Sequence, residues 1–293
     1  MSLSYRYYDA ETLDREYNAR ATVGDITPFL EAYRERTAAA RAALPCRLGL
    51  RYGVTPAERL DVYPALSAER PSPVFVYLHG GYWRLLDAAD SGFMAPAFTA
   101  AGICVVAINY ALAPDVGLDE IVRQCRAALA WVFDRIGEFG GDAARVHVCG
   151  SSAGAHLAAM LTARGWQAQF DLPEDAVAGA TLLSGLYDLE PMRMSYVNEW
   201  MQLDAAAAHR NSPLFHLPAR PLPLVFSYAP NETDEFKRQT ETYLAACRAV
   251  RCPCEFVAMP GTNHFDLALA TADPATALTA AIFRTIHASR PKA

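Results

Sequence analysis

The chain is 293 residues long, 52% hydrophobic and 20% charged, with a formal net charge of −6, which is the make-up of an ordinary globular domain. It has no basic block, which makes nucleic acid a poor guess for a partner, and no stretch reaches the ~18 continuous apolar residues of a membrane-spanning helix. Its seven cysteines are an odd number scattered through apparent strands and helices, and its first twenty residues carry acids without an apolar core, so a reduced, cytoplasmic protein without a signal peptide or structural metal is expected.

In chain order, residues 1–45 read as an N-terminal helical segment. "TPFLEAYRERTAAARAAL" (27–44) offers Thr27 as N-cap, Pro28 at the first helical position, and Phe29, Tyr33 and Leu44 near one face. The helix either packs on the domain surface or acts as a lid. "RLGLRYG" and "ERLDVYP" then alternate apolar and polar residues around "VTPA", the pattern of an antiparallel hairpin. Six apolar runs follow: "PVFVYLHG" (73–80), "ICVVAINY" (103–110), "RVHVCG" (145–150), "AGATLLSG" (178–185), "LPLVFSY" (222–228) and "CEFVAMPG" (254–261). Near-continuous apolar runs suit parallel strands covered on both faces. Helical segments at 118–136, 152–164 and 233–250 separate several of them. The expected architecture is α/β: one domain over 1–293, built on a mostly parallel eight-stranded sheet with helices on both faces. Ligands of such sheets gather beyond the carboxyl ends of the strands. Cys104 and Cys149, inside apolar runs, read as small buried hydrophobes. The "CPC" at 252–254 has the wrong spacing for a zinc knuckle.

One motif carries chemistry. Gly150-Ser151-Ser152-Ala153-Gly154 is a G-x-S-x-G pattern that ends an apolar strand and opens a helix. That setting makes a nucleophile elbow, with the Ser152 hydroxyl standing above the sheet and the Ala153 N–H pointing to the same space. The bland alternative is a serine N-cap.

A serine hydroxyl needs a base. His79 precedes a glycine pair and reads as a brace for that loop. His147 lies within a strand, and His156 is tied to the helix after Ser152. His209 and His216 follow no strand, and His287 is near the C-terminus. His264 follows the last strand on a loop that enters a helix, so it falls at the carboxyl edge of the sheet. The acid that orients it belongs between serine and histidine in chain order. Glu232 sits in the loop after a strand; Asp234 and Glu235 fall in the next helical turn, where carboxylates have a structural reason to be. Glu232 is therefore preferred, with Asp234 the runner-up and Asp188 a third choice.

Acyl transfer builds charge on a carbonyl oxygen and needs donors already aimed there. "HGGYW" (79–83) follows the third strand, where Gly80 and Gly81 can turn their N–H groups inward because no Cβ obstructs them. Gly80, Gly81 and Ala153 are the expected oxyanion hole. Tyr82 and Trp83 either wall the substrate pocket or anchor the loop in the core, the core reading suiting Trp83 better.

"HGGYW", "GSSAGAHLAAML", "SGLYDLEP", "RNSP", "ETDEFKRQT" and "NHFDLAL", in this order, together with "LDREYNAR" and "NYALAP", resemble the kynurenine formamidase (arylformamidase) branch of the α/β-hydrolases over nearly the whole chain. The resemblance implies a cofactor-free hydrolase with Ser152, His264 and an acid in the 232 loop. The family usually carries aspartate where this chain has Glu232 and glutamine where it has Arg84. The implied activity is hydrolysis of a small aryl formamide such as N-formylkynurenine through an acyl-enzyme. The alternatives are a small-molecule carboxylesterase on the same scaffold, or a catalytically silent binding protein. The expected partners are a small-molecule substrate and, at most, a second copy in a homodimer; no metal, nucleic acid or membrane is expected. Whether Arg84 or Arg193 meets a substrate carboxylate is left open by the sequence.

Overall fold

The computed structural model describes residues 5–66 and 71–289; the first four residues of the N-terminal segment, residues 67–70 and the last four residues lie outside them. The eight apolar or alternating runs form eight strands: β1 (Arg47–Arg51), β2 (Arg59–Tyr63), β3 (Ser72–Leu78), β4 (Cys104–Ile108), β5 (Gly141–Ser151), β6 (Gly179–Leu183), β7 (Leu224–Ser227) and β8 (Cys254–Phe256). They make one sheet in the order β1-β2-β4-β3-β5-β6-β7-β8. The first hairpin is antiparallel and β2 runs antiparallel to β4, but every pairing from β4 to β8 is parallel.

The reason for the continuous apolar runs is visible in the packing. Side chains alternate across a strand, and here both sides are covered. Val74, Val76 and Leu78 join one core cluster with residues of the helices Leu118–Arg135, Ala153–Thr162 and Asp234–Ala249. Phe75 and Tyr77, one residue out of phase, join a second cluster with residues of the helices Thr27–Ala43, Ala95–Ala100 and Ala277–Ala288. Each large apolar side chain fully buried this way contributes about 1.5–3 kcal/mol. Cys104 and Cys149 are buried in β4 and β5, and all seven cysteines are free thiols. Among the described residues, no helix is long and apolar enough to cross a membrane.

The N-terminal segment contains a short helix, Ala10–Glu16, a 3-10 turn, Ala19–Thr22, and the long helix Thr27–Ala43. Thr27 falls inside the long helix and Ile26 takes the cap position; the Asp25 carboxylate accepts from the Thr27 N–H at 2.9 Å and supplies the capping oxygen instead. Leu13 and Tyr17 are fully buried. The Tyr17 hydroxyl donates to Glu235 at 2.9 Å and accepts from Gln239 at 3.0 Å. Thr233 donates to the Glu16 carbonyl at 2.6 Å. Tyr33 donates to the Phe265 carbonyl at 2.5 Å, and Phe29 stacks on the Phe265 ring. The segment is thereby held across the carboxyl edge of the sheet as a wall.

Candidate active site

At the end of β5 the chain turns sharply. Ser152 has φ 58° and ψ −122°, a region that costs a non-glycine residue about 1–3 kcal/mol. The surroundings hold it there. Its N–H donates to the Leu183 carbonyl at 2.8 Å, and its carbonyl accepts from Ala155 and His156 at 3.0 and 3.1 Å. The flanking glycines are required by close approach: a Cβ on Gly150 would overlap the Gly154 backbone, and one on Gly154 would overlap the Leu78 carbonyl oxygen. The motif therefore folds this way because β5 must start its helix hard against β3. Ser152 emerges at the top of the sheet, on the wall of a cavity of about 300 Å³.

His264 lines the same cavity. Its Nδ1 lies 3.2 Å from Glu232 Oε1, with the His264 side chain 5% exposed and that of Glu232 wholly buried. That carboxylate oxygen also accepts from the Ser184 hydroxyl and, at 3.2 Å, from the Ala229 N–H. A buried carboxylate at Nδ1 favours the tautomer that carries its proton there, which leaves Nε2 as the basic nitrogen. The loop carrying His264 is fixed locally: Asn263 N and Nδ2 donate to Asp266 at 2.5 and 2.8 Å, and Asn263 Oδ1 accepts from the Phe265 and Asp266 N–H groups. Phe236 and Phe265 flank the ring edge-on at 4.9 and 5.3 Å. Asp234 is exposed in the first turn of its helix, and Asp188 accepts from the Glu190 N–H and the Tyr5 hydroxyl. The geometry brings Glu232 to His264 and leaves the other two carboxylates in capping and turn positions. Sequence reasoning passed over Ser184, whose only signal was a serine directly after an apolar strand.

Gly80 and Gly81 also line the cavity. A Cβ at Gly80 would lie 2.8 Å from the Ser151 carbonyl oxygen, and Gly81 takes φ 90°, so both positions demand glycine. Among the described residues, the N–H groups of Gly80, Gly81 and Ala153 donate to no acceptor within the protein. Three free donors beside one hydroxyl suit a developing oxyanion. His79 braces the loop from below: its Nδ1 lies 3.0 Å from the Gly80 carbonyl, and its ring stacks on Tyr110 at 4.0 Å.

Tyr82 lines the cavity and donates from its hydroxyl to the Tyr17 carbonyl at 2.5 Å. Trp83 does not line it, so of its two readings the pocket wall is corrected and the core anchor remains. Tyr82 and Trp83 both have left-handed backbones, φ 49° and 56°, and this turns the indole into the core. There it is fully buried, edge-on to the His156 ring at 5.1 Å. Its place on the cavity wall is taken by Trp200 and Tyr196, with Ile26, Leu30 and Tyr33 from the N-terminal segment. Among the described residues, no group of three or more His, Cys, Asp or Glu side chains is placed to hold a metal ion.

Three other histidines are packed as neutral groups. Burial pushes His79 and His156 down to about 4 and His147 to about 3. Unfolded, each takes up a proton near its ordinary value of about 6.5. Below that pH the unfolded chain binds more protons than the folded one, so stability falls with pH until the folded groups themselves titrate. Each histidine removes about 1.4 kcal/mol per pH unit across that window. The melting temperature is expected to hold above pH 6.5 and to drop steadily between 6.5 and 5, before ordinary carboxylates titrate. A melting temperature flat down to pH 5 would contradict this packing.

The chain is similar to known proteins. Residues 75–267 match the family described as alpha/beta hydrolase fold. The chain is 35% identical over 261 residues to a kynurenine formamidase of Salmo salar, with 86% of each chain covered. It is 33% identical over 269 residues to a kynurenine formamidase of Danio rerio, with 90% of each covered. The esterase LipC of Mycobacterium tuberculosis is 30% identical over 264 residues, which span 82% of this chain and 65% of that one. Among solved structures, a candidate thioesterase from Silicibacter superposes with a TM-score of 0.81 at 24% identity, covering 94% of this chain and 99% of that chain, a likeness of fold.

Proposed function

The chain belongs to the α/β-hydrolase family, in the branch of the kynurenine formamidases, and from that premise we propose that it is a serine hydrolase cleaving a small aryl formamide such as N-formylkynurenine to kynurenine and formate. The observation that carries the reading is the His264–Glu232 pair at 3.2 Å on the cavity that also holds Ser152. His264 Nε2 takes the Ser152 proton as the hydroxyl attacks the formyl carbon. The oxyanion meets the N–H groups of Gly80, Gly81 and Ala153. Glu232 keeps the imidazole in the required tautomer and steadies its positive charge. The imidazolium then protonates the departing aniline nitrogen, and water, deprotonated by the same histidine, releases formate from the serine ester. An aryl amine leaves more readily than an alkyl amine, so no further acid is required.

The aromatic wall of Tyr82, Tyr196 and Trp200 supports an aryl leaving group, since flat rings pack well against such surfaces. The similarity to LipC favours a second reading, a small-molecule carboxylesterase using the same residues. A panel of formamides and short aryl esters on purified protein separates the two. The formamidase reading predicts a kcat/KM for N-formylkynurenine within the ordinary enzyme range of about 10⁴–10⁸ M⁻¹s⁻¹. A value below about 10² M⁻¹s⁻¹ with efficient ester turnover would sink it in favour of the esterase.

A further inference from the structure

The cavity wall carries two arginines, Arg20 and Arg84. Several arginines elsewhere are paired with carboxylates: Arg41 with Asp61, Arg123 with Glu58, Arg193 with Glu190, Arg238 with Glu235. Arg193 is thereby occupied. Among the described residues, Arg20 and Arg84 meet no carboxylate. They come from distant parts of the chain, Arg20 from the 3-10 turn Ala19–Thr22 and Arg84 from the loop after Gly80-Gly81. Yet both charges bear on the Tyr196 phenol, which also faces the cavity, and there they oppose the burial and the Asp14 carboxylate that raise its pKa. The Arg84 guanidinium lies over the Trp200 ring, 4.4 Å from its centroid. Trp200 is fixed in turn by its Nε1–H, which donates to the Tyr82 carbonyl at 3.2 Å. A guanidinium held on an aromatic face loses little freedom when it binds a planar anion and keeps its N–H edge free to do so. The carboxylate on the cavity wall, Asp90, is met by Arg34 at 3.5 Å.

We infer that Arg20 and Arg84 form an anion-recognising rim that selects substrates whose leaving group carries a carboxylate. This rests on reading the cavity as the hydrolytic site. It extends that reading, because neither arginine takes part in bond breaking. The rim lies beside the aromatic wall, so an aryl group seated there would present a carboxylate on its side chain to the guanidinium groups.

The test compares N-formylkynurenine with its primary carboxamide, which keeps size, shape and the α-ammonium but removes the carboxylate charge. The wild type is expected to prefer the acid by about tenfold in kcat/KM, the scale of one charge-assisted contact. In the variant Arg20→Gln/Arg84→Gln the ratio is expected to fall to about one, chiefly through a higher KM for the acid. In the wild type, raising the salt concentration should raise the KM of the acid, whose carboxylate pairing is screened, and should not raise that of the carboxamide, whose remaining α-ammonium the same two guanidinium groups repel. That measurement stands even if the double variant folds poorly. A wild-type ratio near one, or a ratio that survives the substitutions, overturns the inference while leaving formamide hydrolysis intact. If no formamide is cleaved, the same comparison is made with aryl esters bearing a carboxylate or a carboxamide on the phenol ring. There, a tenfold preference upholds the rim although the formamidase reading has failed, and no preference removes both.

Discussion

Replacing Ser152 with alanine is expected to lower kcat by about 10⁶-fold, the scale seen when a catalytic serine is removed from a comparable triad. The chain should remain folded. The Ser152 hydroxyl makes no hydrogen bond within the protein among the described residues, and the side chain is largely buried at 6% exposure, so alanine fills the same corner. The strained φ is held by backbone bonds to Leu183, Ala155 and His156, none of which involves the side chain. Melting temperature should therefore move by no more than a few degrees, while turnover of every substrate collapses. Activity that survives the substitution would place the nucleophile elsewhere, with Ser151, on the same cavity wall, the first to examine.

Glu232→Ala carries the second large effect. Its carboxylate holds His264 Nδ1 at 3.2 Å, and without it the imidazole loses both its tautomer preference and its counter-charge. A fall of about 10⁴-fold in kcat is expected by comparison with other orienting acids. Stability should drop as well, because the Ser184 hydroxyl and the Ala229 N–H lose their buried acceptor, a loss of about 1–3 kcal/mol for each group left unpaired. Asp234→Ala should change kcat by less than about twofold, since a solvated carboxylate at a helix start contributes only a few tenths of a kcal/mol to the helix. Steady-state kinetics on the two variants side by side decide the matter. A larger loss from Asp234→Ala would show that the wrong carboxylate has been assigned.

Much of this was legible in the chain because local rules and tertiary demands agree. The strands could be read as apolar runs since both faces of the sheet are covered, with Val74 and Phe75 packing into opposite clusters. The turn at Ser152 could be read because Gly150 and Gly154 admit no Cβ. The place of Asp234 in a first helical turn, apart from the loop that carries Glu232, could be read because helix starts favour acids there. What could not be read depends on contacts between distant residues. Trp83 could be given to the core from its type, but the two successive left-handed residues that send its ring away from that of Tyr82 are announced by no spacing rule. Ser184 reaches Glu232 across 48 positions. The N-terminal helix follows an amphipathic pattern that says it must pack. Its role as a cavity wall follows only once Tyr33 meets the Phe265 carbonyl.

The central claim is that a single strained serine is the group activated by its surroundings. Treating the protein with a dialkyl aryl phosphate and locating the adduct by peptide mass spectrometry tests it most directly, since only a hydroxyl with an adjacent base and free oxyanion donors reacts quickly. One dialkylphosphoryl group on Ser152, formed as activity disappears and blocked by substrate, is the predicted result. Lost activity with the label on another residue, or full activity with no label at all, would contradict it.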